Sequence, residues 1–367
     1  MEEILLKNEE KAIFALRSLY RAHGYRSFKM SKFEEYELYV RNKDFLVSDR
    51  IITFNDTNGK LMALKPDVTL SIIKNTADTA GVKQKVYYNE NVYRVSDRTH
   101  QYKEIMQAGL ECVGDIDSYD LFETVLLAAK SLALISEQFV LDVSHLGILT
   151  AVLDEVGGGE NFRREITACI AGKNRHDLIK LCAEAEIPQI DVERLVSLID
   201  IHGNMDRVIY ELESVCNSAA SRTALDELKE LAQLLGTTPY ASRIRFDFSI
   251  VNDMNYYNGI VFRGFLAGIC EGVLAGGQYD KLLRRMGRKS GAVGFALYLD
   301  LLEELNREES DYDVDVLILC DRSTPTAKLA DLVKKITDGG ECVSVQRAIP
   351  EKLRYRRLME LRKGDES

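Results

Sequence analysis

The sequence predicts an α+β fold in which a mainly antiparallel sheet is flanked by helices. Residues 84–95 and 103–113 read as two strands joined by a polar loop, which indicates an antiparallel hairpin. Strand patterns stop at about residue 144, helical periodicity continues to about residue 238, and strand patterns then return. Strands interrupted by a helical block favour one α+β core with a helical insertion over a doubly wound sheet.

Local signals predict the other elements of this core. An acidic first turn after Asn8 begins a helix, and Gly24 fits its end. After the helical block, residues 244–250 and 255–266 are expected to form strands. A Gly-rich turn is expected next, followed by a helix from about Val293 to Asn306.

The end of the chain is predicted to be a separate unit. We expect the core to span residues 1–310 and a small, truncated α/β unit to span residues 311–367. The elements expected in this unit are a strand at 314–320, a helix with Thr324 as cap and Pro325 as first residue, a strand at 341–346 and a basic helix at 351–363.

Composition limits the classes of function. Hydrophobic residues make up 46% of the chain and charged residues 29%, as in ordinary soluble globular proteins. The net charge of −10 weakens attraction to phosphate backbones and disfavours tRNA binding. The N-terminus lacks signal-peptide features and no apolar run approaches a membrane span, so we expect a cytoplasmic protein without membrane association. The seven cysteines and five histidines are dispersed, so neither a metal site nor a cofactor is expected.

Two segments carry most of the functional signal. They read Asn252-Asp253-Met254-Asn255-Tyr256-Tyr257 and Ala275-Gly276-Gly277-Gln278-Tyr279-Asp280. They resemble the two histidine-recognition segments of the histidyl-tRNA synthetase family, Arg-Gly-Leu-Asp-Tyr-Tyr and Ala-Gly-Gly-Arg-Tyr-Asp. Both arginines of the family pattern are amides here, at Asn252 and Gln278. Such a chain looks like a histidine-binding relative that forms no adenylate.

Two earlier segments extend the resemblance. Leu64-Lys65-Pro66-Asp67-Val68-Thr69 resembles the family segment Leu-Arg-Pro-Glu-Gly-Thr, whose acidic residue and threonine hold the α-ammonium. The strand at 104–111 is similar to the family strand that ends Gln-Ile-Gly-Val-Glu. Because side chains alternate along a strand, Gln107 and Glu111 share one face, about 13 Å apart at the backbone. Glu111 interrupts an apolar run, where a buried carboxylate needs a partner such as an imidazole N–H.

The resemblance therefore implies a histidine-binding site that has no catalytic residue. Its expected residues are Asp67, Thr69, Arg94, Gln107, Glu111, Tyr256, Tyr257, Gly276, Gly277 and Tyr279. Each segment alone has a plainer interpretation: Asp67 as the cap of a turn, Glu111 as a strand residue that faces water, and the glycine pair as a turn. The order and separation of all four segments favour the pocket.

The same resemblance predicts that the chain does not activate histidine. Activation needs cations around the nucleotide phosphates. The family pattern Arg-x-Glu reads Arg94-Val95-Ser96 here, so its glutamate is lost. In the pattern Gly-Phe-Ala-Met-Gly-Leu-Glu-Arg, Tyr298 replaces a glycine beside the nucleotide and Leu301 replaces the phosphate-binding arginine.

These features resemble the regulatory subunits of ATP phosphoribosyltransferase, which act in the first step of histidine biosynthesis. The resemblance implies a short-form catalytic subunit as partner, L-histidine as feedback effector and a homodimer within a hetero-oligomer. Two alternatives stay open. One is a degenerate histidyl-tRNA synthetase, which the basic segment 351–363 favours and the acidic net charge disfavours. The other is a stand-alone histidine sensor, which co-purification with a phosphoribosyltransferase subunit would exclude.

Overall fold

The computed structural model describes residues 8–43, 50–95, 100–251, 256–305 and 312–361. Contacts between residues divide the chain into two units. One unit is residues 8–305, and the described part of the other is residues 312–361. The first unit contains every residue of the expected histidine site.

Strands of the first unit form one large and one small sheet. In chain order they are β1 (Arg26–Ser27), β2 (Phe33–Glu35), β3 (Thr53–Asn55), β4 (Leu61–Leu64), β5 (Gln84–Val95), β6 (Tyr102–Gly114), β7 (Phe139–His145), β8 (His202–Gly203), β9 (Ile244–Asp247), β10 (Ile260–Leu266), β11 (Leu274–Gln278) and β12 (Gly291–Tyr298). Nine of these described strands form the large sheet, in the order β1-β5-β6-β12-β11-β10-β7-β9-β8. Its β1–β5 and β7–β9 pairs are parallel and its other pairs are antiparallel, which confirms the predicted mainly antiparallel sheet.

The helices of this unit include the predicted insertion. They are α1 (Asn8–Ala22), α2 (Tyr36–Arg41), α3 (Thr69–Asn75), α4 (Ser118–Ile135), α5 (Leu146–Val156), α6 (Gly159–Ala171), α7 (Arg175–Glu184), α8 (Gln189–Asp200), α9 (Met205–Leu212), α10 (Ala219–Gly236) and α11 (Asp280–Arg285). Helices α5 to α10 lie between β7 and β9, in the range where helical periodicity predicts the insertion, although Ser144 and His145 belong to β7. Nowhere in the described ranges is a helix long and apolar enough to cross a bilayer.

Helices α1 and α4 pack on one face of the large sheet. The Tyr20 hydroxyl of α1 lies 3.0 Å from Ser131 Oγ of α4 in the buried layer. The Tyr20 ring meets Phe295 of β12 edge-on, with 6.1 Å between ring centroids. Because successive side chains of a strand point to opposite faces, the neighbours of Phe295 in β12 point to the other face of the sheet. The candidate site lies on that other face.

One predicted element before the C-terminal unit is wrong. The expected Gly-rich turn does follow Leu266, at residues 267–273, but the expected helix from Val293 to Asn306 is strand β12 followed by a 3₁₀ helix, Leu299–Leu305. Strand β12 lies between β11 and β6, and its residues 292–295 are buried on both faces. A continuous apolar run of this kind has no period of two, so the pattern does not separate a strand from a helix.

The C-terminal unit is a three-stranded parallel sheet with one described helix. Its elements are β13 (Val314–Cys320), α12 (Thr326–Asp338), β14 (Val343–Gln346) and β15 (Tyr355–Leu361). The strand order is β14-β13-β15, and both pairs are parallel. Pro325 has extended backbone at the N-cap position, so the prediction that it is the first helical residue is wrong.

The predicted basic helix at 351–363 is also wrong. Residues 355–361 form strand β15, while residues 362 and 363 lie outside the described ranges. Arginine has high helix propensity, and this local preference favoured a helix. In the structure, backbone pairing with β13 and an ion pair between Arg357 and Glu341 stabilise the strand instead. Tertiary pairing therefore overrides a weak local preference.

Candidate functional site

A row of small residues crosses the exposed face of the large sheet beside Glu111. Glu111 of β6 lies directly opposite Gly294 of β12, and Gly294 lies opposite Gly277 of β11. Gly277 in turn lies opposite Val261 of β10. Directly opposite residues project to the same face, so the missing side chains of the two glycines make room for the Glu111 carboxylate above Gly294 and for the Tyr257 ring above Gly277. A Cβ atom on Gly294 would overlap the Glu111 carboxylate.

The Glu111 carboxylate joins three distant segments of the chain. Its Oε1 accepts a hydrogen bond from Thr69 Oγ at 2.8 Å, and its Oε2 accepts one from the Tyr279 hydroxyl. Thr69 is the first residue of α3, and Tyr279 follows β11. Glu111 is 2% exposed. A buried carboxylate is costly unless its oxygens are bonded, so these two donors stabilise its position.

Burial changes the acidity of this carboxyl group. Removal from water, and to a smaller extent the nearby Asp67 carboxylate, raise the pKa of Glu111 to about 8. The hydrogen bonds from Tyr279 and Thr69 act in the opposite direction but do not offset burial. Glu111 can therefore gain or lose a proton near neutral pH. An imidazole, which also titrates near neutral pH, is a chemically matched partner.

Asp67 lies at the turn before α3, close to Arg94. Its Oδ1 accepts a hydrogen bond from the Leu70 N–H at 2.8 Å, so Asp67 does act as a cap of the turn. Burial raises the pKa of Asp67, whereas the Leu70 N–H and the Arg94 guanidinium lower it. Arg94 Nε donates to the Pro66 carbonyl oxygen at 3.0 Å. Arg94 thus fixes the turn from which Asp67 projects.

A buried ion pair supports this turn and was not predicted from the sequence. Lys65 has no exposed side-chain surface, and its Nζ donates to Glu90 Oε2 at 2.6 Å. The Lys65 carbonyl oxygen accepts the Tyr93 N–H at 2.9 Å. These bonds attach the turn to β5. A lysine next to proline was the available signal, but its partner lies 25 residues away and requires the fold.

Gln107 lies on the same face as Glu111 at the other end of the site. It is 3% exposed and lies directly opposite Tyr298 of β12 on one side and Glu90 of β5 on the other. Its amide makes no hydrogen bond with any residue that the structure describes. A side-chain amide, which can both donate and accept hydrogen bonds, is suited to bind the polar end of a ligand.

Three tyrosines form an aromatic wall. The rings of Tyr256 and Tyr257 meet edge-on with 4.7 Å between centroids, and those of Tyr256 and Tyr279 lie 5.6 Å apart. Tyr279 is 1% exposed. Edge-on and tilted contacts of this kind hold aromatic side chains in defined positions. The hydrogen bond from the Tyr279 hydroxyl to Glu111 places this wall next to the carboxyl group.

The two glycines of β11 lie on opposite faces of the large sheet. A Cβ atom on Gly277 would lie 2.8 Å from Tyr257 Cδ1, so glycine allows the tyrosine ring to approach the sheet. A Cβ atom on Gly276 would overlap Phe295 on the packed face. Gly277 therefore shapes the candidate site, whereas the missing side chain of Gly276 allows close packing behind it.

The structure describes two of the four positions at which this chain differs from the residues that activate histidine in the family pattern. Leu301 is partly buried and packs against the main apolar core, so no cation stands at the position of the phosphate-binding arginine. Tyr298 projects onto the sheet face that holds Gln107. The other two positions, Asn252 and Ser96, lie outside the described residues.

The fold defines a protein of the class II aminoacyl-tRNA synthetase type. The histidyl-tRNA synthetase family model matches residues 4–302. The chain belongs to this family. The predicted α+β fold of the class II type is thereby confirmed, because a solved member of similar fold superposes over nearly the whole chain.

That solved structure is an ATP phosphoribosyltransferase regulatory subunit/histidyl-tRNA synthetase from Bacillus halodurans. It has a TM-score of 0.75 and 23% identity, and the match covers 96% of this chain and 93% of that chain. The ATP phosphoribosyl transferase (HisG:HisZ) complex from Thermotoga maritima matches with a TM-score of 0.64 and 19% identity, over 79% of this chain and 97% of that chain. The ATP phosphoribosyltransferase regulatory subunit of Bacillus cereus (strain G9842) is 25% identical over 335 residues, which cover 87% of this chain and 79% of the relative. The predicted resemblance to these regulatory subunits is confirmed.

The first prediction concerns the pH dependence of stability. In the folded protein Glu111 keeps its proton to about pH 8, whereas in the unfolded chain it ionises near its ordinary pKa of 4.5. Ionisation therefore favours the unfolded state as pH rises from 5 to 7. Glu111→Gln removes this effect and should gain up to about 3 kcal/mol in the free energy of unfolding, relative to the unchanged protein, over that range.

Urea unfolding at several pH values measures this gain. Glu104→Gln, at the exposed end of the same strand, is the matched control and should show no such gain, because hydrogen bonds from Asn91 and Tyr93 lower the pKa of Glu104. A stability difference for Glu111→Gln that does not change with pH would contradict the buried, protonated carboxyl.

The second prediction concerns the Tyr279 hydroxyl. Tyr279→Phe leaves Glu111 Oε2 without this donor, so the pKa of Glu111 should rise further. The free energy of unfolding should fall by about 1–3 kcal/mol near pH 9, where the carboxylate is charged. Tyr210→Phe, at a tyrosine that is 78% exposed, is the control and should change little. Equal stability of Tyr279→Phe and the unchanged protein at this pH would refute the proposed bond.

Proposed function

We propose that the chain is a non-catalytic regulatory subunit of ATP phosphoribosyltransferase. It would be needed for activity of a short-form catalytic subunit and would carry histidine feedback inhibition to it. Relatives named as such regulatory subunits cover 87% of the chain, and one of the similar solved structures is a HisG:HisZ complex. No further enzyme activity of its own is proposed.

The observation that carries the histidine part of this proposal is the buried Glu111 carboxyl group, which Thr69 and Tyr279 hold beside the tyrosine wall. An imidazole N–H can donate to Glu111, and the tyrosine wall can pack against the ring. Asp67 would hold the α-ammonium, and the unbonded Gln107 amide would bind the polar end of the amino acid. Each of these groups matches one part of free histidine.

The residue at the expected position of the nucleotide phosphates supports the proposal that the chain does not aminoacylate tRNA. Adenylate formation requires cations that stabilise the charge developing on the phosphate, and losing a single stabilising group costs roughly 3–4 kcal/mol. At position 301 a leucine packs into the core instead. Histidine-dependent exchange between ATP and pyrophosphate above background would contradict this part of the proposal.

Feedback inhibition requires a coupling between two sites. Histidine must bind two conformations of the complex with different affinity, and such couplings are typically about 1–3 kcal/mol. The pocket joins β6, α3 and β11, so ligand contacts there can alter the relative positions of three elements. This supplies a physical route from bound histidine to the rest of the subunit.

The third prediction tests the assignment of Glu111. Phosphoribosyl-ATP formation by the catalytic subunit should require this chain and fall on addition of histidine. With Glu111→Ala, the complex should assemble and remain active, but the histidine concentration that halves the activity should rise about tenfold or more, since a charge-assisted hydrogen bond is lost. The matched control, Glu104→Ala on the same strand, should be inhibited normally.

The outcomes separate the remaining alternatives. If histidine inhibits the Glu111→Ala complex normally, the assignment of the pocket is wrong, but the proposed regulatory function stands. Activity that is independent of this chain would contradict the regulatory function itself. In that case a histidine sensor or a degenerate synthetase would be tested next, the latter by binding of histidine tRNA at physiological salt.

A further inference from the structure

A cavity of about 620 Å³ lies between the helical insertion and the core. Thr150 and Leu153 of α5 and one face of α6 line it from the insertion, and Val251 and Lys281 line it from the core. None of the described residues around it belongs to the expected histidine site. Its volume is in the usual range for cavities that bind small molecules.

Helix α6 has two faces of different chemistry. Phe162, Ile166 and Ile170 are buried in the main apolar core. The residues that line the cavity recur at the spacing of helical turns and therefore share the other face. They are Glu160, Arg163, Arg164, Thr167, Ala168 and Ala171. Along the helix this face changes from charged residues to small apolar ones.

The charges that line this cavity are mainly positive. Arg163 and Arg164 lie on α6 and Lys281 lies on α11, whereas Glu160 is the one carboxylate among the described lining residues. The chain as a whole has a net charge of −10, so the excess of cations is local. Like charges around one space repel each other, and an anion placed between them is stabilised.

Arg164 is the cation most available to a ligand. Within the described ranges its side chain makes neither a hydrogen bond nor an ion pair. Arg163 is paired with Asp154 of α5, but the two side chains are 39% and 57% exposed. Such exposed pairs are weak because water screens them, so a phosphate can replace Asp154. The planar N–H groups of arginine match the geometry of phosphate oxygens.

Apolar side chains form much of the remaining wall. Leu153 and Val251 are each 2% exposed, and Ala168 and Ala171 add only methyl groups. Inorganic phosphate would leave most of this volume to water. A nucleotide can instead place its phosphate at the arginines and its base against the apolar wall, which is the usual combination in small-molecule sites.

We infer that this cavity binds a phosphate-bearing ligand of nucleotide size, whose phosphate Arg164 and Lys281 contact. The inference does not depend on the proposed histidine site, because the two share no described residue. The cavity is nevertheless close to that site along the chain. Lys281 follows Tyr279, the donor to Glu111, by two residues, and its N–H donates to Asn258 Oδ1 at 3.3 Å.

The fourth prediction uses AMP and adenosine, which differ only by the phosphate. Isothermal titration calorimetry of the full chain should show AMP binding at least about tenfold more tightly than adenosine, as expected for charge-assisted hydrogen bonds. Arg164→Met should weaken AMP binding by a similar factor and leave adenosine binding unchanged. Arg21→Met, at an exposed arginine of α1, is the matched control and should have no effect.

A second variant tests the cavity without removing a charge. Ala168 is exposed and lines the cavity, so Ala168→Trp should fill the space and abolish AMP binding while every cation remains. Normal AMP binding by both Arg164→Met and Ala168→Trp would show that AMP binds elsewhere and would overturn the inference. Absence of AMP binding at millimolar concentration would overturn it as well. Pyrophosphate that binds as tightly as AMP would contradict the nucleotide-sized ligand.

Discussion

Thr69 and Tyr279 each donate a hydrogen bond to the carboxylate of Glu111, and the geometry of the whole site follows from these two bonds. A buried carboxylate without donors would be strongly destabilising, so the start of α3 and the end of β11 are held where their hydroxyl groups can reach β6. Gly294 and Gly277 then become necessary, because a side chain at either position would occupy the space beside the carboxylate or the tyrosine wall. The two glycines are thus a consequence of the buried carboxyl group and of the tyrosine wall beside it.

Two polar side chains of different kinds lie at separate places along the same face of the sheet. A proton-exchanging group, Glu111, stands near the aromatic wall, and an unbonded amide, Gln107, stands four residues away on the same strand. Tyr257 and Tyr298 border a neighbouring cavity of about 440 Å³. A small zwitterion with a titratable ring has a matching group at each point. The position of the phosphate-binding arginine in the family pattern holds Leu301, which packs against the apolar core.

Much of this site could be predicted from the sequence, but only where the signal is local or the resemblance is strong. The β5–β6 hairpin follows from its strand pattern, and that pattern places Gln107 and Glu111 on one face. Strand β12 was mistaken for a helix because it is buried on both sides and shows no alternation. Strand β15 was mistaken because its stability comes from pairing with β13 and not from its own residues.

Contacts over long sequence separations are the other part that the sequence did not reveal. Lys65 binds Glu90, and Asp142 binds Arg245 across 103 residues. The distinction between Gly276 and Gly277 likewise depends on which face of β11 each residue presents. These features are properties of the assembled sheet and have no signature in any single segment.

The central claim is that histidine in this pocket is coupled to catalysis in a partner subunit. By thermodynamic reciprocity, substrates of the catalytic subunit must then change the affinity of this chain for histidine by the same factor as histidine changes theirs. The direct measurement is the histidine dissociation constant of the assembled complex, with and without saturating ATP and phosphoribosyl donor. The account predicts weaker histidine binding with the substrates present, by roughly 5- to 150-fold. An unchanged dissociation constant would contradict it.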